Sequence, residues 1–381
     1  MNTNITTTKE LKQFCKHLQS CSYIAVDTEF LREKTYYPVL CLIQIAGNNK
    51  AACIDALADI DLSPLFEVLA NPKILKVLHS CHQDIEIFYH LTGQVPTPVF
   101  DTQIGAMVCG LGENVSYHDL VESFLGEDID KASRATDWTK RPLTEEQIQY
   151  ALNDVVYLEK LYPKMQEMLT STHRLDWVSE EMVALENQKL YYIDPAEAWL
   201  RVKPLSNRPK YLGVLQALCA WRERKAQTMN RPRQYILRDD VILQLASVAP
   251  ENEADFARAR NVQNLSSKWQ KEIVSAIRHT LDAAQYPTWT RHKGVPAQMQ
   301  GVQNILKLLL DVVCANEKVA PKLVATTDDL KQLVMDSNAD IPALKGWRRE
   351  IFGQKALDFL AGKIGIFFNP QTHQTEWIKL K

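Results

Sequence analysis

The stretch Tyr23-Ile-Ala-Val-Asp27-Thr-Glu29-Phe closes an apolar run with two acids. Strand residues i and i+2 face the same side, so Asp27 and Glu29 project together. Neighbouring carboxylates repel, and burial raises that cost. A divalent cation relieves the repulsion, and hard Mg²⁺ or Mn²⁺ suits carboxylate oxygen. Alone, Asp-x-Glu at this place also describes a solvated strand end. Two more motifs extend the set. In His79-Ser-Cys-His-Gln-Asp84, the acid follows a strand-like segment at a helix start, where the helix dipole also favours it. In Tyr150-Ala-Leu-Asn-Asp154, a phenol and a carboxylate stand four apart on one helix and share a face. Four acids and this tyrosine, in this order on one domain, are much more specific than any one of them.

The elements that must position these groups read as a mixed α/β sheet. Segments 22–26, 39–46 and 51–54 have strand character, and 62–70 is a short helix. Segment 74–78 is strand-like again, 84–91 has helical spacing, and Val99-Phe100 is a brief strand before a helix from Thr102. Thr144 and Gln147 form a capping-box pattern that opens a helix through Tyr150, Asp154 and Leu158 to about Met168. Lys203-Pro204 to Arg208-Pro209 reads as a linker, and everything beyond it reads as helical. That second half holds a weak repeat. Pro232, Asp239 and Asp240 answer Pro321, Asp328 and Asp329, and Trp269 with Glu272-Ile273 answers Trp347 with Glu350-Ile351.

The chain has 381 residues, enough for two or three domains, and a formal net charge of −2. That small total conceals a division. Residues 1–200 carry 16 basic and 29 acidic side chains, and residues 201–381 carry 28 and 17, so the halves are −13 and +11. A basic half suggests a nucleic-acid partner. Its density peaks at Arg222, Arg224, Lys225, Arg231, Arg233 and Arg238, interspersed with Tyr211, Trp221 and Tyr235. Basic groups attract phosphates and aromatic rings stack on unpaired bases, although Trp221 also fits a helix-bundle core.

Other classes are disfavoured. No run reaches the ~18 apolar residues of a membrane span. The N-terminus has no basic stretch followed by an apolar core, so no secretory signal is read there. Eight scattered cysteines form no Cys-x-x-Cys pair, which points away from a zinc ribbon and towards reduced thiols in the cytoplasm. The same lack of a partner pair argues against zinc at His79, Cys81 and His82. Neither glycine-loop nucleotide motif is present. Gln44, polar in an apolar strand, is either a contact to a terminal nucleotide or a satisfied core amide.

Asp27-x-Glu29, Asp84 and Tyr150-x-x-x-Asp154 resemble the three exonuclease motifs of the DEDD superfamily, in its tyrosine-bearing branch. The resemblance is closest to the ribonuclease D family. It extends through Tyr37-Pro38, Leu42-Ile43-Gln44, Phe100-Asp101-Thr102, Ile129-Asp130-Lys131, Arg134, Thr136-Asp137-Trp138, Arg141-Pro142-Leu143, Tyr192-Ile-Asp-Pro195 and Ala198-Trp199-x-Arg201. The two helical repeats resemble the helicase-and-RNase-D C-terminal (HRDC) domain, the second being less basic than the first.

This resemblance implies a ribonuclease-H-like α/β exonuclease domain over 1–170, a helical connection over 171–208, and two small all-α HRDC domains over 209–290 and 296–381. It also implies two divalent ions, Mg²⁺ or Mn²⁺. Asp27 would bridge them, Glu29 and Asp154 would complete the first, Asp84 would support the second, and Tyr150 would orient the attacking water. Lys131, Arg134 and Arg141 would hold the RNA backbone, and Arg222, Arg224, Lys225, Arg231 and Arg233 would add charge to the first helical module. The implied activity is 3′→5′ removal of 5′-mononucleotides from RNA, with transfer RNA precursors as substrate. A DNA exonuclease and a catalytically idle RNA-binding scaffold are the alternatives. No feature indicates a membrane, an obligate protein partner or a homo-oligomer, so a monomer is expected.

Overall fold

Strand β2 (Tyr23–Leu31) lies at the centre of a mixed six-stranded sheet. In chain order the others are β1 (Asn4–Ile5), β3 (Val39–Gly47), β4 (Lys50–Asp55), β5 (Leu75–Leu78) and β6 (Val99–Asp101). Their spatial order is β1-β4-β3-β2-β5-β6. Strands β2, β3 and β4 are antiparallel, β5 and β6 run parallel to β2, and β1 runs parallel to β4. The computed structural model describes residues 4–129, 136–262, 265–283, 285–289 and 294–380.

Helices cover both faces, which explains why β3 reads as a continuous apolar run rather than an alternating one. Helices α1 (Thr8–Leu18), α2 (Ser63–Leu69) and α3 (His82–Thr92) pack on the face that carries Ile24, Val26, Ile43 and Ile54. After α4 (Thr102–Val108) and α5 (Tyr117–Leu125), the long α6 (Glu145–Ser171) crosses the other face, over Ala25, Ala46 and Val77. The capping box at its start is formed. Gln147 N–H donates to Thr144 Oγ1 at 3.2 Å, and Thr144 N–H donates to Gln147 Oε1 at 2.8 Å. Helix α6 ends three residues beyond the expected Met168 and accommodates Pro163.

Lys76 is fully buried in β5. Its ammonium donates to the main-chain oxygens of Ile74 at 2.8 Å, Asn71 at 3.1 Å and Thr97. It therefore ties together the turns that enter β5 and β6.

Helix α7 (Leu175–Leu185) leads out of the sheet domain. A helical group follows: α8 (Pro209–Met229), α9 (Arg233–Ile236), α10 (Asp239–Val248) and α11 (Ser267–Ala283). Then α12 (Gln300–Glu317), α13 (Pro321–Val324), α14 (Thr327–Met335) and a helical stretch over 346–360 repeat that order. Even the ends of the long helices correspond, with Asn230 at φ 47° and Lys318 at φ 51°. The all-helical expectation stops at Leu360. An antiparallel hairpin, β7 (Ile364–Asn369) and β8 (Gln374–Lys379), follows and packs Ile364, Ile366 and Trp377 on the last module. Its strands gain their stability from that packing, not from a local signal.

Both helical groups rest on the sheet domain. Asn230 Oδ1 accepts from the backbone N–H of Tyr36 and Tyr37 at 3.1 and 3.0 Å, and the Tyr36 hydroxyl donates to buried Glu223. On the other side, Arg174 donates to the oxygens of Val108 at 2.8 Å, Lys318 at 2.7 Å and Glu317. Trp177 stacks on Trp347 at 4.4 Å. Gly110, at φ 77°, lets the Lys318 carbonyl approach where a Cβ would collide with it.

Candidate active site

The β2 acids and the α6 acid meet across the sheet face. Asp27, Glu29 and Asp154 each present a carboxylate oxygen within 4.8 Å of the other two. They line a cavity of about 210 Å³, and Tyr150, one turn before Asp154, lines it as well. Trp138 packs near the Tyr150 ring at 6.2 Å between centroids, which restricts the phenol.

Asp84 does not join them within that spacing and does not line the cavity, but its charge acts on Asp27 and Glu29 from α3. It lies in the first turn of α3 and is 6% exposed. Thr28 alternates away from the two β2 acids, and its hydroxyl donates to Asp84 Oδ1. Asp101 sets this geometry from a distance. Its carboxylate accepts from the N–H groups of Ser80 at 3.0 Å, Cys81 at 2.9 Å and Gln103 at 2.8 Å. One side chain thus caps α4 and shapes the turn that feeds α3.

The electrostatics suit a cation. Burial, and then the charges of Asp27, Asp154 and Asp84, push Glu29 up to about 9. Burial also raises Asp27 to about 6, and burial together with the Asp27 charge raises Asp84 well above the ordinary carboxylate range. Four acids confined in one low-dielectric site cannot all ionise without countercharge. Carboxylate oxygens at this spacing are a hard donor set, so the residues fit a divalent metal.

Ile129 and Leu158 line the cavity, and so do Tyr117 and His118, which the sequence motifs did not single out. Tyr117 donates from its hydroxyl to the main-chain oxygen of Asp154 at 2.6 Å. His118 Nε2 lies 2.8 Å from Asp128. For Tyr117 and His118 the only signal was the start of α5, which reads as an ordinary capped helix. His79 also lines the cavity, with Nδ1 3.1 Å from Thr102 Oγ1. Among the described residues, His79, Cys81 and His82 do not converge as a metal-holding group.

Gln44 meets neither expectation. It is 0% exposed, so it cannot reach a nucleotide, and neither amide atom has a hydrogen-bond partner among the described residues.

The basic residues divide sharply. Lys131 and Arg134 lie outside the described residues. Arg141 is committed within the fold. It donates to both Asp55 oxygens at 2.6 Å, and to the carbonyls of Cys41 at 2.9 Å, Trp138 at 2.7 Å and Lys140 at 2.8 Å. Arg222 is 3% exposed and donates to the Leu237 carbonyl at 2.8 Å and to Asp239 at 2.5 Å. Arg233 forms a two-pronged pair with buried Glu223 at 2.5 and 2.8 Å. Each of these three arginines has an acid matching its charge within the fold. Arg224 and Arg231 are exposed. Lys225 is half-buried against Glu272 at 2.8 Å. A groove of about 800 Å³ between α8 and α11 joins Arg224 and Lys225 to Lys271 and His279, which the linear cluster did not include. Trp221 belongs to the core, donating from its indole N–H to Glu272 at 3.0 Å, while Tyr235 is 63% exposed.

Fold and site together define a 3′–5′ exonuclease followed by an HRDC module. Residues 2–170 match the family described as 3′-5′ exonuclease, and residues 212–268 match the HRDC domain. The chain belongs to the ribonuclease D family, a family of exoribonucleases. It is 42% identical to ribonuclease D of Granulibacter bethesdensis over 95% of this chain and 93% of that one. It is 40% identical to ribonuclease D of Bartonella henselae, over 96% and 91%. The crystal structure of Escherichia coli RNase D, described as an exoribonuclease involved in structured RNA processing, superposes with a TM-score of 0.80 at 28% identity, over 95% of this chain and 99% of that one. Membership of this family makes the site one that depends on divalent metal. No helix among the described residues is long and apolar enough to cross a membrane.

Proposed function

We propose that this exoribonuclease trims structured RNA, transfer RNA precursors foremost, releasing 5′-mononucleotides one at a time from the 3′ end. The observation that carries this reading is the convergence of Asp27, Glu29 and Asp154 on one cavity with Tyr150 one helical turn away. Asp27, Glu29, Asp154 and Asp84 would hold two divalent ions, Mg²⁺ or Mn²⁺. When bound, such ions supply charge stabilisation to the attacking and leaving oxygens of an in-line phosphoryl displacement.

The remaining work falls to the chain's own groups. A phenol of ordinary pKa about 10 is a poor base at neutral pH. Tyr150 therefore aims the attacking water by hydrogen bonding. Trp138 keeps the phenol in place.

The α8–α11 groove is our choice for the surface that holds RNA behind the reacting end. It gathers Arg224 and His279 with Lys225 and Lys271, which pair with Glu272 and Glu253 at its rim, and it belongs to the half of the chain whose net charge is +11. Oriented cationic groups counter the repulsion between phosphates and the acidic half. We read 1–170 as the exonuclease domain, 171–208 as a connection, and 209–290 and 296–381 as two modules of the HRDC kind. The repeated helix order and the matching ends of α8 and α12 support the second module. The eight unpaired cysteines fit a reducing, cytoplasmic setting, and we read the chain as a monomer.

Incubation with a precursor transfer RNA carrying a short 3′ extension tests this. Mononucleotide release with Mg²⁺, abolished by EDTA, is expected. Internal cleavage, or trimming unaffected by EDTA, would refute it.

A further inference from the structure

Gln44 lies in β3 directly opposite Asp27 in β2, and opposite Cys53 in β4. Directly paired residues of antiparallel strands project to one face with Cβ atoms about 4.5–5.5 Å apart. Gln44 therefore sits beside the acid at the centre of the metal-holding group, beneath α6. On its other flank, Cys53 is raised to about 12, first by burial and then by the charges of Asp154 and Glu29. Glu29 and Asp154 thus act electrostatically on the residue that flanks Gln44.

The amide is fully buried with both of its polar atoms unpartnered. Such burial costs roughly 1–3 kcal/mol per unsatisfied group. A leucine or methionine of similar volume would fill the same space without that cost. The β3 register places no other polar side chain on the sheet face: Leu42 and Ala46 flank Gln44. The amide is thus a local sacrifice of stability, a pattern expected where function demands it.

We propose that Gln44 is a positioning residue, whose side-chain NH₂ donates to the ionised Asp27 carboxylate once divalent metal is bound and fixes the oxygen that the metal needs. This rests on the metal-dependent reading above. The physical reason is geometric: an unpartnered, fully buried amide stands at the register position opposite the acid that the metal would use. Metal binding requires the carboxylate, whose remaining lone pairs then need donors in a site closed to bulk water. Glu29 and Asp154 are acids and cannot supply one. The Thr28 hydroxyl is committed to Asp84, and the Thr28 backbone N–H serves one Asp27 lone pair, leaving the others. Gln44 offers two N–H donors at the correct register position. Outer partners of metal ligands typically change metal affinity by about 10–100-fold.

The test uses the full chain, with Gln44→Met as isostere and Gln44→Glu as a shape-preserving change that removes the NH₂ donor. Three quantities are measured: thermal melting in EDTA, Mn²⁺ binding by electron paramagnetic resonance of the free ion, and steady-state kinetics on RNA. For Gln44→Met we expect melting in EDTA at or above the wild-type temperature, Mn²⁺ affinity about 10–100-fold weaker, a lower kcat and an unchanged KM. Should that variant fail to fold, Gln44→Glu must show the same loss of Mn²⁺ affinity. Wild-type Mn²⁺ affinity in whichever variant folds overturns the proposal, as does a lower melting temperature with intact affinity, which would mark a merely structural amide. Failure of the underlying metal reading looks different, because the wild-type chain itself would then bind no Mn²⁺ at the site and Asp27→Asn would remain active.

Discussion

The phenol of Tyr117 donates to the main-chain oxygen of Asp154 at 2.6 Å, joining α5 to the turn of α6 that carries the last acid. The same oxygen of an uninterrupted helix already serves the helical ladder, so the bond acts on position, not on satisfaction of a lone group. Tyr117→Phe keeps the ring and removes the tether. We expect kcat on RNA to fall about tenfold, since sub-ångström displacement of a reacting group is costly, with KM nearly unchanged. Steady-state kinetics check this, and equal kcat values would show that α5 does not position Asp154.

The shared field of the acids predicts a pH dependence. Glu29 rises to about 9 and Asp27 to about 6 in the fold. Between the ordinary carboxylate range and these values, the folded chain binds more protons than the unfolded one. Stability of the metal-free protein therefore falls as pH rises from about 4.5 towards 9. Divalent metal removes the need for those protons and should reverse the trend. Melting curves at pH 6 and pH 8.5, each with EDTA and with Mg²⁺, are expected to show the larger Mg²⁺ stabilisation at pH 8.5. Equal or opposite effects would contradict the electrostatics described for the site.

Arg141 and the α8–α11 groove should separate cleanly. Arg141→Lys breaks a two-pronged pair with Asp55, whose carboxyl burial would push up but which Arg141 hydrogen bonding holds below its usual range. A stability loss of about 2–4 kcal/mol in denaturant unfolding is expected, with RNA affinity and its salt dependence unchanged in the folded protein. Arg224→Gln with Lys271→Gln should do the reverse. Stability stays within about 0.5 kcal/mol, and the slope of log affinity against log salt shrinks by about 1.4 for two lost contacts to single-stranded RNA. Filter binding at several salt concentrations distinguishes them.

Lys76 gives a purely structural prediction. Lys76→Met removes the donor from the carbonyls of Asn71, Ile74 and Thr97 while retaining an apolar stem. Stranded buried acceptors cost about 1–3 kcal/mol each, less any water that enters. A total loss of about 2–4 kcal/mol is expected in urea unfolding. Little or no change would mean that these turns hold β5 and β6 without it.

What could be read in the sequence follows from how local each signal is. Asp27 and Glu29 are two apart on a strand, and Tyr150 and Asp154 four apart on a helix, so strand and helix periodicity alone put each pair on one face. Strands β2 to β6 were legible for the same reason, because buried apolar runs are bounded by turn residues. The two-residue β1 carries no such run, and the terminal hairpin depends on packing against 346–360; helix α1 does carry the helical spacing, in Leu11, Phe14, Cys15 and Leu18, and was passed over. Side-chain commitments were beyond reach. Arg141 meets Asp55 across 86 residues, and Thr28 meets Asp84 across 56. Arg222 sits in a basic cluster that looks exposed in one dimension but turns inward on α8. A charge count weights such residues equally, whereas the fold separates groups that face water from those already paired.

The most direct measurement is mononucleotide release from a 3′-extended precursor transfer RNA by wild type, Asp27→Asn and Asp154→Asn, under saturating Mg²⁺. Both substitutions keep side-chain volume and remove one negative charge from the acidic group. We expect turnover to fall by at least about a thousandfold, on the scale seen when a group stabilising the transition state is lost, with RNA affinity within about threefold of wild type. Wild-type release by Asp27→Asn would place the chemistry elsewhere and contradict the metal-dependent exoribonuclease site described here.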